Sequence, residues 1–130
     1  MNGIGLILDT SALLSYAEGS DGEVGRNIAF QADNGLSVLV PATCLAVAYK
    51  DVTSDGWPYL DVLSGMASIV VTPLEHDQCA VLGGWARKLG LPLAHAVVET
   101  TGHPIVPLMT AHRDLVAQFL PKEWPIIDVE

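Results

Sequence analysis

Residues 4–14 constrain the fold of this chain more than any other segment. The run Ile4–Leu8 is apolar, it ends on the carboxylate Asp9, and the hydroxyl residues Thr10 and Ser11 follow at once. A short continuous apolar run is typical of a strand that is buried on both faces. Hydroxyl residues directly after it are typical of a helix N-terminus. The sequence therefore predicts that Asp9 lies at the carboxyl end of a central parallel strand, where open α/β sheets place their ligand sites.

Short apolar runs alternate with helical patterns along the rest of the chain. The predicted strands cover residues 5–9, 36–40, 69–71, 105–108 and 126–129. Helices are predicted at residues 11–18, 42–51, 57–65, 92–101 and 111–120. A further helix is capped by Asp21 and has Val24, Ile28 and Ala32 on one face, and another runs from Thr72 or Pro73 to Lys88. Such an order favours a parallel sheet between helices, with right-handed crossovers. The predicted fold class is α/β, with three layers (α/β/α) around a five-stranded parallel sheet.

The composition is typical of one globular domain. Half of the 130 residues are hydrophobic, so a core can form, and no linker or low-complexity tract divides the chain. The apolar runs are shorter than a membrane span, and the N-terminus lacks the basic region of a secretion signal. We therefore expect a single domain over residues 1–130, a cytoplasmic location and no association with a membrane.

The charge balance limits the partners that the chain can bind directly. Fifteen acidic residues against six basic ones give a net charge of −9, and only Arg87 and Lys88 form a basic pair. Because phosphate backbones are held mainly by Lys and Arg, we expect no strong direct binding to nucleic acid without a basic partner. The excess of acidic residues is also typical of a surface that keeps a protein in solution.

The two cysteines are isolated from each other. Cys44 lies in an apolar helical run and Cys79 in a predicted amphipathic helix, with no CxxC pair and no zinc-site spacing. We expect both to be buried free thiols.

Three segments of the chain resemble the PIN domain family. They are Leu8–Leu14, which reads Leu-Asp-Thr-Ser-Ala-Leu-Leu, Val40–Tyr49, which is similar to actinobacterial members, and the end Ile126–Glu130. The resemblance implies the strand order 3-2-1-4-5. It also implies the activity of a metal-dependent ribonuclease, in many members a VapC-like toxin that is paired with a small antitoxin. The alternation of strands and helices alone also fits a flavodoxin-like or another small α/β protein.

The resemblance implies a cluster of three or four carboxylates at the carboxyl edge of the sheet. Magnesium and manganese need hard oxygen ligands, and two ions about 4 Å apart can stabilise the attacking and leaving oxygens of phosphodiester hydrolysis. Asp9 matches the first family acid, and Thr10 and Ser11 match the adjacent hydroxyl positions that assist metal or phosphate. These three residues are the predicted catalytic set, with Asp9 as the metal ligand. The alternative for Asp9 is a carboxylate that accepts hydrogen bonds from the following helix N-terminus.

The other three acidic positions of the family are not acidic in this chain. They are occupied by Val47, by Pro92 or a neighbouring residue, and by His112. The resemblance therefore implies a degenerate acidic site. Asp114 and His112 remain weak candidates for additional metal ligands, and Asp51 is either a surface residue or a displaced ligand. We expect Glu99 to face solvent on its helix.

Three functions remain open on the sequence. The first is a PIN-like protein that has lost ribonuclease activity and acts as a regulatory or protein-interaction module, as a homodimer or with an antitoxin-like or DNA-binding partner. Its candidate contact residues are Trp57, Tyr59, Trp85 and Trp124. The second is an active or weak ribonuclease that uses magnesium or manganese at Asp9, with Asp114, Asp51 or His112. The third is an unrelated small α/β binding protein. We favour the first, for which no cofactor is expected.

Overall fold

The computed structural model describes residues 3–19 and 22–129, and the elements below lie in these ranges. The strands are Ile4–Leu8 (β1), Ser37–Pro41 (β2), Ile69–Thr72 (β3), Leu108–Thr110 (β4) and Ile126–Asp128 (β5). The α-helices are Thr10–Glu18 (α1), Glu23–Asp33 (α2), Ala42–Asp51 (α3), Trp57–Ser64 (α4), Cys79–Leu89 (α5), Leu91–Thr101 (α6) and Arg113–Val116 (α7). A short 3₁₀ helix, His76–Gln78, precedes α5.

The five strands form one sheet in the order β3-β2-β1-β4-β5, and every neighbouring pair is parallel. Helices flank the sheet, so the predicted α/β/α fold and the strand order 3-2-1-4-5 are confirmed. β1 lies at the centre, with Ile7 opposite Leu39 of β2 on one side and Leu108 of β4 on the other. This pairing brings the carboxyl ends of β1 and β4 together directly before Asp9.

The core lies around the central strands. Leu6, Ile7 and Leu8 of β1 are fully buried, as are Val38 and Val40 of β2. Burying each such side chain contributes about 1.5–3 kcal/mol relative to leaving it exposed. Both faces of the central strands are therefore covered, which explains why their sequences are continuously apolar instead of alternating.

Two boundaries at the carboxyl half of the chain differ from the predictions. The fourth strand exists as predicted, but its predicted bounds of 105–108 are wrong: Ile105 has a φ of 66° and is 78 % exposed, and the N–H of Val106 donates to the carbonyl of His103 in a turn. The strand is Leu108–Thr110 instead. The predicted helix at 111–120 is also too long. Regular α-helix ends at Val116, and the following turns mix i→i+3 and i→i+4 hydrogen bonds ahead of Pro121.

The predicted helix that begins at Thr72 or Pro73 is wrong at its start. Thr72 is the last residue of β3 and pairs with Pro41 of β2. The helical turns begin only after Glu75, which forms a reciprocal capping box with Gln78: the backbone N–H of Glu75 donates to Gln78 Oε1 at 2.9 Å. A capping box of this kind fixes the entry of the 3₁₀ helix and delays α5 to Cys79.

Three smaller predictions have different outcomes. Gln31, not Ala32, takes the buried position after Val24 and Ile28 on α2, since positions 24, 28 and 31 follow the helical repeat. The predicted cap Asp21 lies outside the described residues. Cys44 is a buried free thiol as expected. The expectation for Cys79 is wrong: its side chain is exposed, because it opens α5 and its Sγ donates to the carbonyl of Glu75.

Among the described helices, none is both long enough and apolar enough to cross a lipid bilayer.

Thr72 carries a buried hydroxyl that has no hydrogen-bond partner within the described part of the chain. We predict that Thr72→Val raises the free energy of unfolding by about 1 kcal/mol, because it removes an unsatisfied polar group at constant shape. The matched control is Thr110→Val, which removes a hydroxyl that donates to Asp9 and is expected to lower the same quantity by about 1–3 kcal/mol. Urea denaturation measures both. Equal destabilisation by the two substitutions would contradict the assignment.

Candidate functional site

Asp9 is the residue around which the candidate site is built. It follows β1 directly and is the N-cap of α1, with extended backbone angles of φ −91° and ψ −174°. Its Oδ1 accepts a hydrogen bond of 3.0 Å from the backbone N–H of Ala12, as in other N-caps. The residue is only 1 % exposed, so its carboxylate lies inside the protein.

Two hydroxyl groups also donate to Asp9. Ser11 Oγ donates to Oδ1 and Thr110 Oγ1 donates to Oδ2, both at 2.5 Å. Each hydroxyl oxygen in turn accepts a backbone N–H, from Ala111 to Ser11 at 2.9 Å and from His112 to Thr110 at 3.0 Å. Because each hydroxyl has a single proton, these incoming bonds direct both protons at Asp9. Both carboxylate oxygens are thus occupied by donors of the protein itself.

Thr10 and Ser11 have distinct positions in this arrangement. Ser11 belongs to the hydrogen-bond network of Asp9, whereas Thr10 Oγ1 donates to the carbonyl of Cys44 on α3 at 3.1 Å. The structure therefore brings Ser11 to the carboxylate and directs the hydroxyl proton of Thr10 elsewhere. The role of both residues in assisting a metal or phosphate stays a prediction.

Burial controls the electrostatics around Asp9. Desolvation raises the pKa of Asp9 above its ordinary value, against the lowering effect of the bonds from Ser11, Thr110 and Ala12 and of the nearby His112. Burial, with the charge of Asp9 as a smaller contribution, also raises the pKa of the Cys44 thiol to about 12. Cys44 is therefore an inert thiol, and its Sγ donates to the carbonyl of Pro92 at 3.0 Å.

A small cavity of about 200 Å³ opens next to Asp9. It is lined by Asp9, Thr10, Ser11, Val47, Leu89, Pro92, Leu93, His112 and Leu115. The three positions at which the PIN resemblance implies further acids, Val47, Pro92 and His112, all line this cavity with Asp9. The fold thus brings the four positions together, but only one of them carries a carboxylate.

The other predicted ligands lie elsewhere. Asp114 does not line the Asp9 cavity but an adjoining surface depression, which shares His112 and Leu115 with that cavity. Asp51 is exposed and pairs with Lys50 at 2.9 Å, in agreement with its interpretation as a surface residue. Of these candidates, His112 alone lines the Asp9 cavity.

Glu99 does not face solvent as expected. Its side chain is 11 % exposed, and its Oε1 is 3.3 Å from Nε2 of the buried His95 and 3.1 Å from Nε2 of Gln78. His95 Nδ1 lies 2.7 Å from the hydroxyl of Thr43. Burial raises the pKa of Glu99, but the bonds from His95 and Gln78 outweigh it and hold that pKa below its ordinary value. The i,i+4 spacing of His95 and Glu99 was the sequence signal for this pair.

The residues at Asp9 do not fit a magnesium or manganese ion. Across residues 3–19 and 22–129, no group of three His, Cys, Asp or Glu side chains is placed to hold a metal. The lining opposite Asp9 is apolar at Val47, Pro92 and Leu93. Both oxygens of Asp9 already accept hydrogen bonds, whereas Mg²⁺ needs several free oxygen ligands in octahedral geometry.

The four aromatic residues predicted for partner contact divide into two pairs. Trp57 and Tyr59 on α4 are 48 % and 56 % exposed. Trp85 packs against Phe119 with ring centroids 5.6 Å apart, and Trp124 Nε1 donates to the carbonyl of Val106 at 2.8 Å. Trp85 and Trp124 are both partly buried against the core, so among these four residues the exposed pair is the one on α4.

We predict that Asp9→Ala lowers the free energy of unfolding by about 2–4 kcal/mol, because it leaves three buried donors without an acceptor. Asp9→Asn is expected to cost less, since its carbonyl oxygen can still accept from Ser11 and Ala12. The control is Asp51→Ala, whose exposed ion pair contributes less than about 1 kcal/mol. Denaturation by urea gives the three values, and an Asp9→Ala protein as stable as the control would exclude the structural role of Asp9.

The opposite pKa shifts of Asp9 and Glu99 predict opposite pH trends. Because the pKa of Asp9 is raised in the folded protein, the contribution of Asp9 to stability is complete below the ordinary pKa of 3.8 and is lost as the pH rises through the raised pKa. The lowered pKa of Glu99 makes its contribution present above 4.5 and lost as the pH falls.

From about pH 3 to about pH 7, the stability deficit of Asp9→Asn should therefore shrink, whereas that of Glu99→Gln should grow. Denaturation curves of the two variants and the parent protein, measured at several pH values, provide the test. A deficit of Asp9→Asn that widens with pH would mean that hydrogen bonding outweighs burial at this carboxyl group.

Comparisons with known proteins agree with this fold. Neither protein-family models nor curated proteins give a match to the sequence. Among solved structures, the chain is similar to one in the crystal structure of VapBC2 from Rickettsia felis bound to a DNA fragment from their promoter. The TM-score is 0.66 at 13 % sequence identity, over 96 % of this chain and 98 % of the other. At this identity the likeness concerns the fold, and VapC toxins are PIN-domain proteins. The chain therefore has the PIN-like α/β/α fold.

Proposed function

We propose that this chain is a PIN-like protein that has lost metal-dependent ribonuclease activity and acts as a regulatory or protein-interaction module. One observation carries the proposal. The cavity at which four acidic positions of the family converge holds a single carboxylate, Asp9, with Val47, Pro92 and His112 at the other positions.

The hydrogen bonds of Asp9 support the same conclusion. Phosphodiester hydrolysis by this class of enzyme needs metal ions that activate water and neutralise charge. A carboxylate has about four acceptor sites, and Asp9 already uses three of them for the bonds from Ser11, Thr110 and Ala12, which leaves a single site for an ion. In this proposal Asp9 retains a structural function: it joins the ends of β1 and β4.

The partner in this proposal is another protein. The structural neighbour is part of a VapBC2 assembly that is bound to promoter DNA. By analogy, we propose an antitoxin-like or DNA-binding protein as the partner, and the net charge of −9 favours a basic one. Contact with DNA would then come through that partner. The single domain over residues 1–130, the cytoplasmic location and the homodimer implied by the resemblance belong to the same proposal.

The competing function is a weak manganese- or magnesium-dependent ribonuclease. The observation that favours it is the position of His112, which lines the Asp9 cavity and can bind a transition metal as a neutral imidazole. The two functions differ in what a divalent ion does to the folded protein. An ion that binds the folded state must raise its melting temperature by mass action.

We predict that about 10 mM Mg²⁺ or Mn²⁺ shifts the melting temperature by less than about 1 °C, whereas a site with a dissociation constant of about 1 mM would shift it by about 4 °C. Cleavage of single-stranded RNA should be absent under the same conditions. A melting shift with manganese, or RNA cleavage that Asp9→Asn abolishes, would establish the ribonuclease instead.

A positive control can be made in the same fold. The double variant Val47→Glu, His112→Asp places two further carboxylates in the Asp9 cavity, at positions where the family resemblance implies acids. Manganese should raise the melting temperature of this variant relative to its own metal-free value. The control shows that the assay detects a metal site in this cavity, so that a flat response of the parent protein is informative.

A further inference from the structure

One stretch of the chain combines acidic charge with exposed apolar side chains. Residues 51–86 contain five acidic residues and no Lys or Arg: Asp51, Asp55, Asp61, Glu75 and Asp77. The same stretch holds seven of the ten large hydrophobic residues that are exposed in the described part of the chain: Trp57, Tyr59, Val62, Val70, Val71, Leu74 and Val81. Exposed apolar side chains with polar neighbours are a mark of interaction sites.

Much of this apolar surface lies on α4 and on β3, which pack against each other. Tyr59 and Val62 are three residues apart on α4, so they are neighbours on its surface, and they are 56 % and 58 % exposed. Val70 and Val71 of β3 are 40 % and 39 % exposed, although both faces of a parallel sheet are usually covered, so that its valines are buried. Because successive residues of a strand point to opposite faces of the sheet, Val70 and Val71 lie on the two faces of this edge. We call these four residues the edge surface.

β3 also has an open backbone edge. It is the outermost strand on its side of the sheet. Val38 of β2 donates to the carbonyl of Ser68 at 2.8 Å, and the parallel ladder then directs the backbone groups of Val70 and Thr72 toward β2. The backbone N–H and carbonyl of Val71 consequently point away from the sheet. The carbonyl of Ile69 does so too, whereas the N–H of Ile69 donates to the carbonyl of Met66 at 3.1 Å.

The sequence of β3 does not protect this edge. Natural edge strands are commonly blocked by lysine, by proline or by a bulge. Ile69–Thr72 contains neither lysine nor proline, and its register with β2 is regular over all four residues. Proline occurs only after the strand, at Pro73. The Val71 N–H and the carbonyls of Ile69 and Val71 can therefore pair with another extended chain.

We infer that an extended, basic segment of a partner protein adds to the sheet as a sixth strand beside β3. Its main chain would pair with the open backbone groups of Val71 and Ile69, and its apolar side chains would cover the edge surface. Its Lys or Arg side chains would face the acidic residues of the same stretch, such as Asp55. The inference rests on the proposed function as an interaction module and specifies the chemistry of the partner.

Charge complementarity selects this occupant over the others. At this edge, a second copy of the chain would bring acidic side chains of the same stretch, such as Asp55, into the contact from both sides, which is unfavourable. Nucleic acid is disfavoured by the same charges, because its phosphates need Lys or Arg. A basic polypeptide complements both the acidic charge of this stretch and the unpaired backbone of β3.

The test uses a defined probe, an end-blocked, fluorescein-labelled peptide of about seven residues in which lysine and valine alternate, since strands of this length are typical of sheets. We expect the peptide to bind the full chain with an affinity that falls as salt is added. The matched peptide with glutamate in place of lysine should bind at least about tenfold more weakly. Fluorescence anisotropy measures both.

Two substitutions at one position separate the backbone from the side chain. Val71→Pro removes the outward N–H without removing a bond to β2, and should weaken binding of the lysine peptide at least about tenfold. Val71→Thr keeps this N–H and a β-branched side chain, and should weaken binding less than about threefold. In the parent protein, the bound peptide should slow hydrogen exchange of the Val71 amide at least about tenfold.

A charge variant keeps the test valid if the proline variant does not fold. Asp55→Lys on the acidic stretch should weaken the lysine peptide, whereas Asp114→Lys, on α7 beside the opposite edge strand β5, should not. Absence of binding up to about 1 mM, equal binding of the glutamate peptide, or unchanged exchange of the Val71 amide would overturn the inference. So would a dimer in sedimentation that Val71→Pro dissociates, since the occupant would then be a second copy.

These outcomes are independent of the metal and ribonuclease assays. If the peptide fails to bind while the parent protein shows no metal response, the edge inference is wrong and the proposed loss of nuclease activity stands. If the parent protein cleaves RNA, the proposed function is wrong whatever the peptide does.

Discussion

The fold of this protein depends on one buried carboxylate at the junction of its two central strands β1 and β4. An ionised carboxylate inside a protein costs several kcal/mol of solvation free energy unless it is well bonded. Asp9 meets this condition with three donors, from Ser11, Ala12 and Thr110, the last of which is 101 positions away in the sequence. The N-terminus of α1 adds a favourable dipole. One side chain thus caps α1 and joins the carboxyl ends of β1 and β4.

The same bonds limit the chemistry that Asp9 can perform. Its three donors fill most of the about four acceptor sites of a carboxylate, and the cavity beside it offers Val47, Pro92 and Leu93 instead of further oxygens. We propose that this chain keeps the PIN-like architecture without the set of metal ligands that the PIN resemblance implies. We propose that the acidic stretch with the open edge of β3 is the surface that contacts a protein partner.

Sequence patterns predicted most of the architecture but less of the site. The central strands could be predicted because their apolar runs are continuous, and Asp9 because it ends the first of them. The bond from Thr110 to Asp9 could not, since it joins residues that only the β1–β4 register brings together. The burial of Glu99 depends on contacts of His95 with α3, which periodicity does not encode. The loop at Ile105 was missed because its positive φ has no glycine or asparagine to signal it.

The most direct test of the central claim is a manganese titration followed by NMR of the backbone amides. Mn²⁺ is paramagnetic and broadens signals near the place where it binds. If Asp9 is a structural acceptor, the amides of Ala12, Ala111 and His112 should keep their intensity relative to the rest of the protein as manganese is added. Selective broadening of these three signals that disappears in Asp9→Asn would show that the carboxylate binds metal, and would contradict the account.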